Sequence, residues 1–216
     1  MKTQGDHRGV VACPDYWEEA CQYLIQRDRV LGRLIPQSDS VCLTSHGDAF
    51  VTLARSIVGQ QISVKAAQTV WNTLSLLVKP MVSARLLSRS LQELCQAGLS
   101  GRKAEYLTDL ALHFAHRLVS VDAWPHMTDA AIIAELMAIR GVGRWTAEMC
   151  LIFYLMRPNV LPLDDVGLIR GISRNYFSGE VVSRSDAREV AKAWEPYCTV
   201  ATWYIWRSLE PTPVAY

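Results

Sequence analysis

The stretch Ile139-Arg140-Gly141-Val142-Gly143-Arg144-Trp145-Thr146-Ala147-Glu148 places two glycines one residue apart, immediately before a helix-forming run. Upstream, Thr128 is a suitable N-cap for a helix over 129–139, with Asp129 in its first turn. Downstream, 144–156 keeps helical apolar spacing until Arg157-Pro158-Asn159 stops it. Two helices therefore meet through a short turn, where glycine supplies positive φ without steric cost. Read alone, the turn is a helix–helix corner. Removing Cβ atoms from its rim also lets backbone N–H groups and the N-terminus of the second helix approach a phosphate. Arg140 and Arg144 add positive charge beside it. Gly141, Val142, Gly143, Arg144 and Thr146 are thus candidate phosphate contacts.

Outward from the hairpin the period stays helical, with further helices expected over 15–34, 50–59, 63–78, 102–118, 166–175, 185–194 and 198–209. The stretch 77–82 is ambiguous, no convincing strand pattern appears, and the chain reads as all-α. Its 216 residues suffice for one sizeable core or two lobes sharing a cleft. Half the chain is hydrophobic and 20 % is charged, as in ordinary globular proteins. No apolar run reaches the roughly 20 residues of a membrane span, and none has signal-peptide character, so a cytoplasmic location without a membrane partner is expected. The net charge of +1 decides nothing about nucleic acid, although arginines outnumber carboxylates between 135 and 174. Six cysteines, at 13, 21, 42, 95, 150 and 198, form no C-x-x-C and are expected to be buried thiols.

Other chemistry-bearing residues have plain readings of their own. Asp164-Asp165 before the helix at 166 suits an N-cap with a first-turn partner. Gln60-Gln61 at a helix end suits backbone capping, and Trp145 and Trp206 suit the core. His113-x-x-His116 places two imidazoles near one face but lacks a third ligand, so no metal site is expected there.

Five segments in order alter those readings. They are Ile57-Val58-Gly59-Gln60-Gln61-Ile62-Ser63, Gly98-Leu99-Ser100 with Lys103-Ala104, Leu136 to Ala147, Leu161-Pro162-Leu163-Asp164-Asp165-Val166-Gly167, and Trp194-Glu195-Pro196-Tyr197 with Tyr204-Ile205-Trp206. Together they resemble the helix-hairpin-helix DNA glycosylase superfamily over roughly residues 15–209, and within it the DNA-3-methyladenine glycosylase II branch. Trp145 stands where bifunctional members of that superfamily carry a nucleophilic lysine. The resemblance therefore implies a monofunctional enzyme that releases an alkylated base and leaves the strand intact. The lack of a C-terminal cysteine cluster argues against the iron–sulfur members.

The resemblance implies a role for each matched position. Asp165 is the catalytic carboxylate, while Asp164 serves the backbone. Gln61, with Gln60 beside it, fills the stack vacated by a flipped nucleotide. Trp145 and Trp206 wall an electron-rich pocket for a cationic purine such as 3-methyladenine, where each cation–π contact contributes about 0.5–2 kcal/mol. A monovalent cation, Na+ or K+, is expected on the backbone carbonyls of Met137, Ile139 and Val142, and no cofactor is required. The expected partner is double-stranded DNA bearing an alkylated base, bound by a monomer. Residues 1–45 and 168–216 would form one helical lobe and 46–167 the other, which carries the hairpin at 130–156.

The sequence departs from the pattern at three points. An extra N-terminal β domain of the kind longer relatives carry is not expected here. Met149 replaces an aromatic, which would soften the pocket, and Cys198 replaces an arginine. Two alternatives remain open: a helix-hairpin-helix module that binds DNA without cutting, and a glycosylase for deaminated or mismatched bases.

Overall fold

A computed structural model describes residues 13–38, 42–45 and 47–209. Twelve α-helices and two 3-10 turns run through these residues, and no strand occurs among them. The helices are α1 (Trp17–Arg27), α2 (Leu31–Gln37), α3 (Ala49–Gly59), α4 (Val64–Leu77), α5 (Ser83–Leu87), α6 (Leu91–Gln96), α7 (Gly101–Ala115), α8 (Asp129–Met137), α9 (Arg144–Phe153), α10 (Val166–Tyr176), α11 (Arg184–Ala191) and α12 (Cys198–Arg207). The 3-10 turns are Val121–His126 and Lys192–Trp194. Among the described residues no helix is long and apolar enough to cross a membrane.

Short polar side chains set many of the helix starts. Asp48, Ser63, Ser100, Thr128 and Asp165 each accept a backbone N–H from the first turn that follows them. Ser90 and Ser183 go further and close capping boxes with Glu93 and Asp186. The helix expected over 15–34 is two helices, because Asp28 interrupts it. One oxygen of the buried Asp28 accepts the N–H groups of Val30 and Leu31, at 2.8 and 2.9 Å. Its other oxygen accepts the Tyr176 hydroxyl and the Trp194 indole N–H, at 2.8 and 3.0 Å. A buried carboxylate thus ties the α1–α2 corner to the C-terminal helices. Helices α5 and α6 are too short to carry a helical period, and sequence periodicity passes over them.

The helices pack in two groups. In one, α3 packs on α4, α7 and α9, α8 packs on α9, and α7 covers α5 and α6. In the other, α12 lies against α1, α2 and α10, and α11 follows α10. One apolar cluster runs through both groups, with Trp124 and Trp194 its largest fully buried side chains.

The expectation of six buried thiols does not hold. Cys13 and Cys42 form a disulfide, Cys95 is exposed and Cys21 half-buried, leaving Cys150 and Cys198 as buried thiols. The bonded pair is 29 residues apart, so folding and not local spacing brings it together.

Candidate active site

A cavity of about 600 Å3 opens where the α3–α4 connection, the first turn of α9 and the start of α10 meet. Gln61, Trp145 and Asp165 all line it, so three expected site residues from three distant segments face one space. A second cavity of about 660 Å3 lies on the other side of Gln60 and Gly143, lined by the hairpin, Arg102, Lys103 and Tyr106.

Asp165 is only 4 % exposed, yet it borders the first cavity. Its Oδ1 accepts the Leu168 N–H at 2.6 Å and the Trp206 indole N–H at 2.8 Å, and its Oδ2 accepts the Trp145 indole N–H at 2.9 Å. Three donors fix both the position and the plane of the carboxylate. Asp165 itself caps α10, whereas Asp164 forms an ion pair with Arg184 at 2.7 Å. The division of labour expected for the two aspartates is therefore reversed for capping.

Trp206 is 3 % exposed, stacks on Phe153 and lies beneath Gly167, so it supports the aspartate from behind and does not line the cavity. Met149 is fully buried and likewise no wall of it. Met149 lies one turn further along α9 and packs wholly in the core, whereas Trp145 in the first turn reaches the cavity. Trp145 alone of the three expected pocket residues meets the cavity.

The two glutamines diverge. Gln60 Nε2 donates to the Gly141 carbonyl and to the Thr146 hydroxyl, each at 3.0 Å, so Gln60 clamps the hairpin and is not a wedge. Gln61 sits at φ +58° and is exposed. Lys103, to which the sequence assigned no role, donates its ammonium to the carbonyls of Val58 and Gln60, both at 2.7 Å, and so holds the loop that presents Gln61.

In the hairpin, Gly141 has φ +85° while Gly143 is extended at φ −90°, so only the first glycine is required for its backbone angle. Gly143 caps α9 without a side chain and leaves that helix's first N–H groups uncovered. Thr146 is buried and its hydroxyl is taken by Gln60, which leaves its backbone N–H as the group able to meet a phosphate. Arg140 pairs with Glu105 at 2.7 Å, and Arg144 with Glu148 at 2.9 Å. Met137, Ile139 and Val142 all line the second cavity.

Glu148 is 3 % exposed, and burial pushes its carboxyl up to about 7, against the pull of Arg144. The folded chain thus holds the proton more tightly than the unfolded one. The stability this contributes is full below the ordinary carboxylate range and is lost as pH rises towards about 7. Glu148→Gln is expected to raise the melting temperature by roughly 5 °C at about pH 8, with the gain vanishing near about pH 4. Thermal melts at the two pH values check it.

The family model described as "HhH-GPD superfamily base excision DNA repair protein" matches residues 54–196, two thirds of the chain and every segment lining the first cavity. The chain belongs to that superfamily. The Bacillus subtilis protein described as putative DNA-3-methyladenine glycosylase YfjP is 39 % identical over 132 residues, which cover 61 % of this chain but 45 % of YfjP. The chain therefore spans less than half the length of that relative. The structure of a DNA-3-methyladenine glycosidase from Bacillus halodurans superposes with TM-score 0.75 at 34 % identity, covering 88 % of each chain. Schizosaccharomyces pombe Mag1, a 3-methyladenine DNA glycosylase solved in complex with abasic DNA, shares the fold at TM-score 0.81 and 22 % identity, covering 92 % of this chain and 99 % of Mag1.

Proposed function

We propose that this HhH-GPD protein is a monofunctional DNA glycosylase that removes alkylated purines from duplex DNA and leaves an abasic site. The observation that carries the reading is the triply held Asp165 carboxylate on the wall of a cavity that Trp145 shares. In this mechanism the glycosidic bond breaks with its electron pair going to the base. An N3- or N7-alkylated purine is cationic and leaves as a neutral molecule. Positive charge grows on the sugar at C1′, and Asp165 stabilises it from a site that needs no reorganisation. Water then adds to C1′ and loses its proton, for which the same carboxylate can serve as the base.

Among the described residues that line the cavity none is a lysine, so no amine there can attack C1′. The indole N–H of Trp145 orients the carboxylate while its ring faces the cavity, where a cationic base can stack. Gln61, presented by the Lys103-braced loop, enters the vacated stack. The hairpin N–H groups with Arg144 hold the flanking phosphate. The neutral carbonyls of Met137, Ile139 and Val142 suit a monovalent cation that would strengthen this grip. The Ile139 carbonyl already accepts the Val142 N–H at 3.1 Å and retains its second lone pair.

The test is release of free methylated bases from alkylated duplex DNA. The expected result is released base with strands intact until alkali cleaves the abasic sites. DNA binding without release would instead establish a module that grips phosphates, and breaks appearing before alkali would establish lyase chemistry.

A further inference from the structure

The first cavity has a second polar wall that base hydrolysis does not use. Arg55 on α3 lines it together with Gln68 on α4. Arg55 Nη2 donates to Gln68 Oε1 at 2.7 Å, and Gln68 Nε2 donates to Asn72 Oδ1 at 2.6 Å. The guanidinium carbon lies 5.7 Å from the ring centre of Trp71, which is 8 % exposed. A long side chain is thus fixed in one place by a bond at its tip and a ring at its face. Burial lowers its pKa, yet a guanidinium keeps its charge across the physiological range.

A guanidinium fixed on the cavity wall can read the edge of a base that turns towards it. It carries donors and no acceptor. Adenine derivatives present an amino group at C6, another donor, which finds no partner on Arg55. Their cationic N3-methylated form also meets like charge. Guanine derivatives present a carbonyl at C6, an acceptor that a guanidinium binds with a charge-assisted hydrogen bond. In 7-methylguanine the ring is also cationic, but O6 stands between the ring charge and the arginine.

Resting on the glycosylase reading above, we propose that Arg55, braced by Gln68 and Trp71, sets base preference in this cavity by selecting flipped purines with a C6 carbonyl, 7-methylguanine ahead of 3-methyladenine. Arg55 acts here as a specificity residue, separate from the hydrolytic role of Asp165.

DNA treated with a methylating agent contains both bases, so one reaction reports both. Initial release of 7-methylguanine and 3-methyladenine is measured chromatographically for the wild type, Arg55→Met and Gln68→Leu. Arg55→Met is expected to lower 7-methylguanine release about tenfold while 3-methyladenine release changes by less than about twofold. Gln68→Leu, on an exposed position that leaves the guanidinium less restrained, is expected to shift the ratio the same way by about threefold. Because the ratio is internal to each reaction, a partly folded sample leaves it unchanged. If Arg55→Met releases neither base, the Gln68→Leu ratio decides.

An unchanged ratio, with both bases falling together, would show Arg55 to be a brace for α3 and α4 and would overturn the assignment alone. A wild type that releases neither base would overturn the glycosylase reading and the assignment with it.

Discussion

Asp165→Asn is expected to reduce base release by about 10²–10³-fold while DNA affinity is kept. The substitution changes no volume, and the side-chain oxygen can still accept from Leu168 and Trp206. What it removes is the negative charge facing C1′ and the base for the attacking water. It also turns an NH2 group towards the Trp145 indole N–H, which now donates to Oδ2 at 2.9 Å. Two donors then face each other in a buried position, a mismatch that costs about 1–3 kcal/mol. Some loss of stability is therefore part of the expected result, and melting and affinity must be read beside the rate. A folded variant that binds abasic duplex as tightly as the wild type but releases no base places the chemistry on the charge. Activity within about tenfold of the wild type would move the chemistry elsewhere, because no neutral amide stabilises an oxocarbenium ion comparably.

Much of this site was legible in the chain, and the parts that were not share a physical cause. The hairpin announced itself because glycine at a turn is a backbone requirement, and backbone requirements are local. Asp165 stood out only through the resemblance of the segment around it, because a carboxylate before a helix reads by itself as an N-cap. The roles of the tryptophans were not legible. An indole offers two apolar faces and one N–H, and spacing does not say which of them meets a neighbour. Both expected walls of the pocket turned their N–H groups to Asp165, and Trp206 went wholly behind it.

Gln60 and Gln61 are adjacent and chemically identical, yet a left-handed residue at 61 sends one inward to the hairpin and leaves the other exposed. Glu148, four residues after Arg144, reads as half of a solvated helix pair, and only packing reveals it as buried. Arg55 and Gln68 lie on separate helices, with Trp71 a turn beyond, so no single window contains the wall they build. Asp28 looked like one polar residue in a long amphipathic run, and its four hydrogen bonds arise from three segments.

Gly141→Ala is expected to be the most damaging change outside the carboxylate, because two independent costs fall on one methyl group. The backbone there has φ +85°, which an L side chain adopts at a cost of about 1–3 kcal/mol. A Cβ built on that backbone would lie 2.2 Å from Cγ of Tyr106, well inside contact distance. The Tyr106 ring is not free to swing aside without consequence, since the Arg140 guanidinium sits 5.9 Å from its centre and Arg140 in turn pairs with Glu105. The Gly141 carbonyl also accepts from Gln60, whose own carbonyl holds Lys103. A shift at residue 141 therefore passes to the loop carrying Gln61. Stability is expected to fall by about 2–3 kcal/mol, and affinity for abasic duplex by at least about tenfold. Gly143→Ala is the informative contrast. Its backbone is extended and a Cβ there meets nothing within 4 Å, so folding should be nearly unchanged. The added methyl instead stands at the uncovered N-terminus of α9, where a phosphate would approach. Equal melting temperatures with weaker DNA binding for Gly143→Ala, beside losses in both for Gly141→Ala, would separate the glycine that shapes the hairpin from the glycine that keeps it open.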